Sequence, residues 1–191
     1  MVAAQGDTPQ RLTGGRIVNG LTHDVYAAAS QSLSTYLYEF YQARQSPMDF
    51  FTTNNLCLRR TDFLDLGGFD ESFSIASEDR DFSLRWKDTG GVLTYTEDAV
   101  VDHFHDMTLP AFWRQHAGYG RGARRLHLAL DMRGDDRPKV ERLSFYLGLL
   151  AYPLTRPGRL RLVQSFLMGL SQVAMVAGYG AALRDEKPAG K

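Results

Sequence analysis

Apolar residues recur at helical spacing from Tyr26 to Gln42, behind a short β-branched run in RLTGGRIVNG that reads as a strand end and a turn. Strand then helix is the expected order. SPMDFFTTNNLCLRR alternates apolar and polar positions and is rich in Phe and Thr, so it reads as extended, with Pro47 marking the boundary after the helix. Thr61 is placed to cap a short helix through Leu66, which Gly67 and Gly68 stop. The next helix is expected from about Ser77 to Lys87, with a hydroxyl at its start, acids in its first turn, basic residues later and Gly90 and Gly91 beyond. GVLTYTEDAVVDHFH reads as two short extended pieces around a turn at Glu97 and Asp98. TLPAFWRQHAGYGRGARRLHLAL reads as a helix broken by glycines, with arginines crowding its second half. After a polar stretch from Asp131 to Lys139 the composition turns to Leu, Phe, Gly and Ala, and Pro153 and Pro157 separate two apolar segments.

The second of those segments, Leu162 to Leu183, runs for 22 residues without a charge, the length that spans a bilayer. Gln164, Gln172 and several Ser and Gly residues dilute it, and Arg156, Arg159 and Arg161 sit just ahead. Peripheral contact with a membrane surface, an internal helical hairpin and a true span all remain open on this pattern. The chain has 191 residues, 43% of them hydrophobic, which suits a domain of ordinary size with a real core. Net charge is +0, but 8 Lys and Arg face 16 Asp and Glu up to Pro110, whereas 11 face 4 from Ala111 to Arg161. A global pull toward nucleic acid is therefore excluded, and local patches must carry any electrostatic recognition. The lone Cys57 rules out an internal disulfide and a Cys-based zinc cluster, and Met1 to Gln10 lacks a basic start followed by an apolar run, so a cytosolic setting is the expectation.

Carboxylates concentrate in GGFDESFSIASEDRDFSLRW, Gly67 to Trp86. Asp70 and Glu71 follow a glycine turn, where turn chemistry alone accounts for them. Glu78 and Asp79 stand in a first helical turn, where acids complement the macrodipole. A loop-to-helix junction also aims side chains into a cleft, where adjacent acids serve as general base and hydrogen-bond acceptor. His103, at a strand end, is either a polar cap or a ligand. FWRQHAGYGRGARR is either a solvated basic face or an anion-binding element, and its short extent argues against nucleic acid.

The run from Phe50 to His105 adds a likeness that favours the functional readings. An Asn and paired-basic strand (Asn54, Asn55, Arg59, Arg60) is followed by GGFDE, an ED pair with a further acid two residues on, an Arg, a Gly turn and a terminal strand ending in His. This order and spacing resemble the second half of the family 2 glycosyltransferases, and the likeness extends over most of Gly14 to Leu130. The fold it implies is α/β: a partial GT-A-like mixed sheet flanked by helices over residues 1–130, to which the composition of 131–191 adds a helical C-terminal extension, membrane-associated in one of the readings above. The resemblance implies that Asp79 is the catalytic base, that Glu78, Asn55, Asp70 and Glu71 lie on the acceptor side, and that His103, with His105 on the same strand face as a second candidate, ligates a divalent Mg or Mn ion. It further implies a flexible glycine-containing loop from which Arg121 or Arg124 meets the donor diphosphate, while Arg114 and Gln115 are loosely similar to the Gln/Arg-containing donor-side motif of processive relatives.

That reading makes the protein an inverting, metal-dependent transferase acting on a nucleotide-sugar donor and a saccharide or lipid-linked acceptor. It would work on the cytosolic, inner face of the plasma membrane, in polysaccharide or glycolipid assembly. The family's first half, an alternating strand-helix region ending in a D-x-D motif, has no counterpart between Met1 and Gly14, so the expectation is a carboxyl-terminal portion that works with a separate donor-binding half. The competing expectations are a non-catalytic module that keeps the fold and binds a partner or glycan, and a metal hydrolase built on Asp102, His103 and His105.

Overall fold

The computed structural model describes residues 11–43, 49–136 and 140–186. The readings made above for Met1 to Gln10, for Pro47 and for the end of the Asp131 to Lys139 stretch lie outside the described residues. The chain divides into two compact units that are not continuous in sequence. One comprises Met1–Gly20, Leu37–Ser72 and Glu78–His105, and the other Leu21–Tyr36, Phe73–Ser77 and Asp106–Lys191.

The first unit holds the sheet. Strand β1 (Arg11–Asn19) lies between β2 (Leu56–Cys57), antiparallel to it, and β3 (Val92–His103), parallel to it. The mixed sheet agrees with the expected class. Contrary to the reading of RLTGGRIVNG as a strand end, both glycines lie inside β1, because neighbours press on its backbone: a side chain at Gly14 would occupy the Phe51 ring, and one at Gly15 would fall on the Ala99 carbonyl and the Asn55 amide. GVLTYTEDAVVDHFH is likewise one strand rather than two pieces. Gly15 pairs with Thr96 and the next residue, Arg16, with Val100, so Glu97, Asp98 and Ala99 form a bulge where a turn was expected.

Helix α1 (Val25–Ala43) follows the predicted periodicity within a residue at each end; its Leu37–Ala43 portion belongs to the first unit. Helix α2 (Arg60–Asp65) is capped by Arg59 without a side-chain bond; Thr61 instead sits inside it, its hydroxyl donating to Asp62. Helix α3 (Glu78–Asp88) starts directly after Ser77, whose φ of 77° is left-handed. Leu12, Tyr38, Phe51, Phe82 and Trp86 form the core of this unit, burying one face of α3 and the inner face of β1.

In the second unit, the segment read as a helix broken by glycines is a single 25-residue helix, α4 (Leu109–Arg133), begun by Thr108 with Pro110 in the first turn and ended by Gly134 in the left-handed conformation. The glycines do not break it because they serve packing. A Cβ at Gly120 would fall on the Met175 carbonyl of α6 (Arg161–Asp185), and one at Gly178 of α6 on the Ala117 carbonyl of α4, so the two backbones approach as closely as small residues permit. Helix α5 (Leu143–Ala151) and a 3₁₀ turn, Tyr152–Thr155, connect them, with the Tyr36 hydroxyl donating to the Phe145 carbonyl. Ala27, Ala29, Met107, Phe112 and Leu167 make the core of this unit.

Candidate active site

Asp79 stands in the first turn of α3, half-buried, where its Oδ1 accepts the backbone N–H of Arg80 at 2.8 Å and a further backbone bond comes from Thr53. Burial pushes its carboxyl up to about 6, the neighbouring Glu78 adds to the rise, and the two N–H groups and the Arg80 charge only partly oppose it. The outcome is a carboxylate oriented by two backbone donors, with a proton affinity poised close to neutral pH. The Tyr38 hydroxyl lies within electrostatic reach, accepts the Thr52 N–H at 3.2 Å, and is itself raised by burial before any charge acts on it. The Arg80 guanidinium rests over the Phe50 ring, 4.2 Å from its centroid.

Thr53–Asn55 is a 3₁₀ turn, and it joins the acid to the histidine. Residue 53 gives its N–H to Asp79, while the amide of Asn54 lies 3.3 Å from Nδ1 of His103. The same amide nitrogen lies 3.4 Å from Nε2, so it sits against the ring edge, and which group donates follows from the tautomer. The rings of His103 and His105 are 5.6 Å apart at 72°. Strand β3 ends at His103, so His105 lies beyond the strand rather than on its face as expected. Among the described residues no group of three or more His, Cys, Asp and Glu side chains is placed to hold a metal ion. Two imidazoles are at most a partial donor set for a cation.

The other residues read as acceptor-side have local employment. Asn55 is buried, and its amide nitrogen donates both protons, to Arg16 O at 2.9 Å and Ala99 O at 2.8 Å, latching the bulge of β3 to β1. Asp70 closes a turn by accepting the Ser72 N–H, and both Asp70 and Glu71 are exposed. The third acid of the ED-x-D run, Asp81, is fully buried and paired with Arg85 at 2.8 Å, while the same guanidinium donates to the Leu66 and Gly68 carbonyls. This arginine therefore ties the GG turn to α3.

Gln115, Arg114, Arg121 and Arg124 belong to the second unit and lie on one helix, so Arg121 and Arg124 are not on the flexible loop expected; the glycines among them pack against Ile75 (Gly118), the Met175 carbonyl of α6 (Gly120) and the Ala76 carbonyl (Gly122). Arg121 pairs with Asp185 at 2.7 Å, Arg124 with Glu186, Gln115 donates to the Tyr119 hydroxyl, and Arg114 is exposed. Sequence reasoning missed the roles of the Thr53 N–H, Asn54 and Tyr38. The two asparagines ahead of the basic pair were a visible signal, whereas a backbone donor and a helix tyrosine leave none.

Residues 16–184 match the family model described as glycosyl transferase family group 2. The comparisons with curated proteins and with solved structures gave no match.

Proposed function

The chain belongs to the family 2 glycosyltransferases, and on that premise we propose that it is an inverting transferase whose general base is Asp79. The acceptor hydroxyl gives its proton to the Asp79 carboxylate as its oxygen bonds to the anomeric carbon of the nucleotide sugar. The bond from that carbon to the diphosphate oxygen breaks on the opposite side, and the nucleoside diphosphate leaves with the electron pair. The observation that supports this role is the half-buried carboxylate raised to about 6 while two backbone N–H groups fix its orientation. A base ionised at pH 7 yet more basic than an ordinary carboxylate suits proton abstraction from an alcohol.

A divalent cation, Mg or Mn, would neutralise the diphosphate, and His103, with His105 second, would hold it. Glu78, Asp70 and Glu71 stand on the acceptor side, with Asn55 behind them as the latch of the sheet. Arg121 and Arg124 would exchange their carboxylate partners for the donor diphosphate. The Arg121–Asp185 pair is exposed, and such pairs are worth little, about 0–1 kcal/mol, so that exchange is inexpensive. A separate half that holds the nucleotide, a saccharide or lipid-linked acceptor, and a place on the cytosolic face of a membrane during polysaccharide or glycolipid assembly complete the reading.

The test is transfer from nucleotide sugars in the presence of Mn, for the chain supplied with a donor-binding half. Asp79→Asn should lower kcat by about 10²- to 10⁴-fold with donor affinity unchanged, and His103→Ala should weaken donor binding only when metal is present. Undiminished turnover in the Asp79 variant would remove the assignment.

A further inference from the structure

Along α6, Leu162, Phe166, Val173, Val176 and Leu183 are exposed and recur at spacings that place them on one face. The opposite face, with Leu167, Met168, Ser171, Ala174 and Gly178, is buried. Length and composition would let this helix cross a bilayer, but only 28% of its apolar stretch is covered by protein. From Arg142 to Arg184 the sequence contains five arginines and no acidic residue. Arg142, Arg159 and Arg161 are exposed, next to the exposed Leu143, Leu160 and Leu162. A bare apolar stripe beside exposed arginines is complementary to lipid tails below anionic headgroups.

The buried face of α6 decides between lying on the membrane and crossing it. That face is packed against α4, whose backbone it approaches at Gly120 and Ala117. Along the same pair of helices His127 bonds the Tyr179 hydroxyl, and Arg121 and Arg124 pair with Asp185 and Glu186. Helix α4 also carries Arg114, Arg125, Asp131 and Arg133. A spanning α6 would either draw this charged companion into hydrocarbon or strip it away and expose the carbonyls and small residues that fit it.

We propose that α6 lies in the plane of an anionic lipid surface, with Leu162, Phe166, Val173 and Val176 inserted and Arg159 and Arg161 at the headgroups. This deepens the membrane setting of the reading above and does not depend on the transfer chemistry. It is tested without any sugar nucleotide.

The full chain is floated with phosphatidylcholine vesicles, with and without phosphatidylglycerol, at low and high salt. Binding should need phosphatidylglycerol and weaken with salt. Arg159→Gln with Arg161→Gln should lower affinity for the anionic vesicles by roughly 5-fold per arginine. Phe166→Gln with Val173→Gln should reduce binding to both vesicle types, with the far-ultraviolet circular dichroism unchanged because both side chains are exposed. Alkaline carbonate should release the bound wild-type chain. Failure of the wild-type chain to float, or equal binding to neutral vesicles, would overturn the proposal. Retention through carbonate would do so in favour of a span, and a dimer lost on Phe166→Gln, in a chain that ignores vesicles, would do so in favour of a second copy.

Discussion

The start of α3 and the place where the end of α6 meets the middle of α4 treat charge in opposite ways. There, Arg121 and Arg124 each have a carboxylate within bonding distance. In α3, Asp81 is buried but matched by Arg85, whereas Asp79, two residues earlier, is withdrawn from water far enough to raise its proton affinity. Asp81, Arg121 and Arg124 thus each have a charged partner. Asp79, held by backbone donors and with its proton affinity raised, is the carboxylate assigned to chemistry, in line with the tendency of perturbed groups to mark functional sites.

The largest expected effect that would break this contrast lies at Asp81. Arg85→Met should destabilise the chain by about 3–5 kcal/mol, since it leaves Asp81 buried without its partner and frees two carbonyls of the GG turn; urea unfolding measures it. Asp79→Asn should act with the other sign. The folded-state value near 6 exceeds the unfolded value of 3.8, so the folded state binds the proton more tightly. Stability tied to this group is present below about pH 4, falls as pH rises through the interval up to 6, and stays low above it. Asparagine removes the loss, so the variant should gain on the order of 2–3 kcal/mol at pH 7 and show a flatter stability profile between pH 4 and 6.

Gly178→Leu probes the close helix approach. The new side chain meets the Ala117 carbonyl, and separating α4 from α6 should cost about 1–3 kcal/mol, read as a lowered melting temperature. Smallest of all, Asp185→Asn with Glu186→Gln should change stability by under about 1 kcal/mol. In the proposed role of Arg121 and Arg124, the same double variant should tighten donor binding, because the arginines no longer have carboxylates to leave.

Much of the architecture was legible because it rests on local pattern. Helix α1 follows from apolar spacing, α3 from acids before bases between glycines, and the sheet strands from their β-branched and aromatic runs. Glycine misled twice, in β1 and in α4. In both, its purpose is contact with a distant segment: Phe51 and Asn55 for the strand, Met175 for the helix. Local propensity cannot announce a partner tens of residues away. Within the site, the acid pair and the strand-end histidine were singled out by the family resemblance, since their spacing alone reads equally as helix-start acids and a polar cap. That Asp81 is a buried strut and Asn55 a latch could not be read in advance, since both depend on carbonyls brought together only by folding.

The amide of Asn55 commits both of its protons to carbonyl oxygens from two different strands. Exchanging that nitrogen for oxygen, as hydrolysis of the side chain to aspartate would do, preserves the volume almost atom for atom and reverses the electrostatics, so that two attractions become two repulsions between lone pairs. Slow chemical ageing at one buried position would then unfasten the strand that ends in His103.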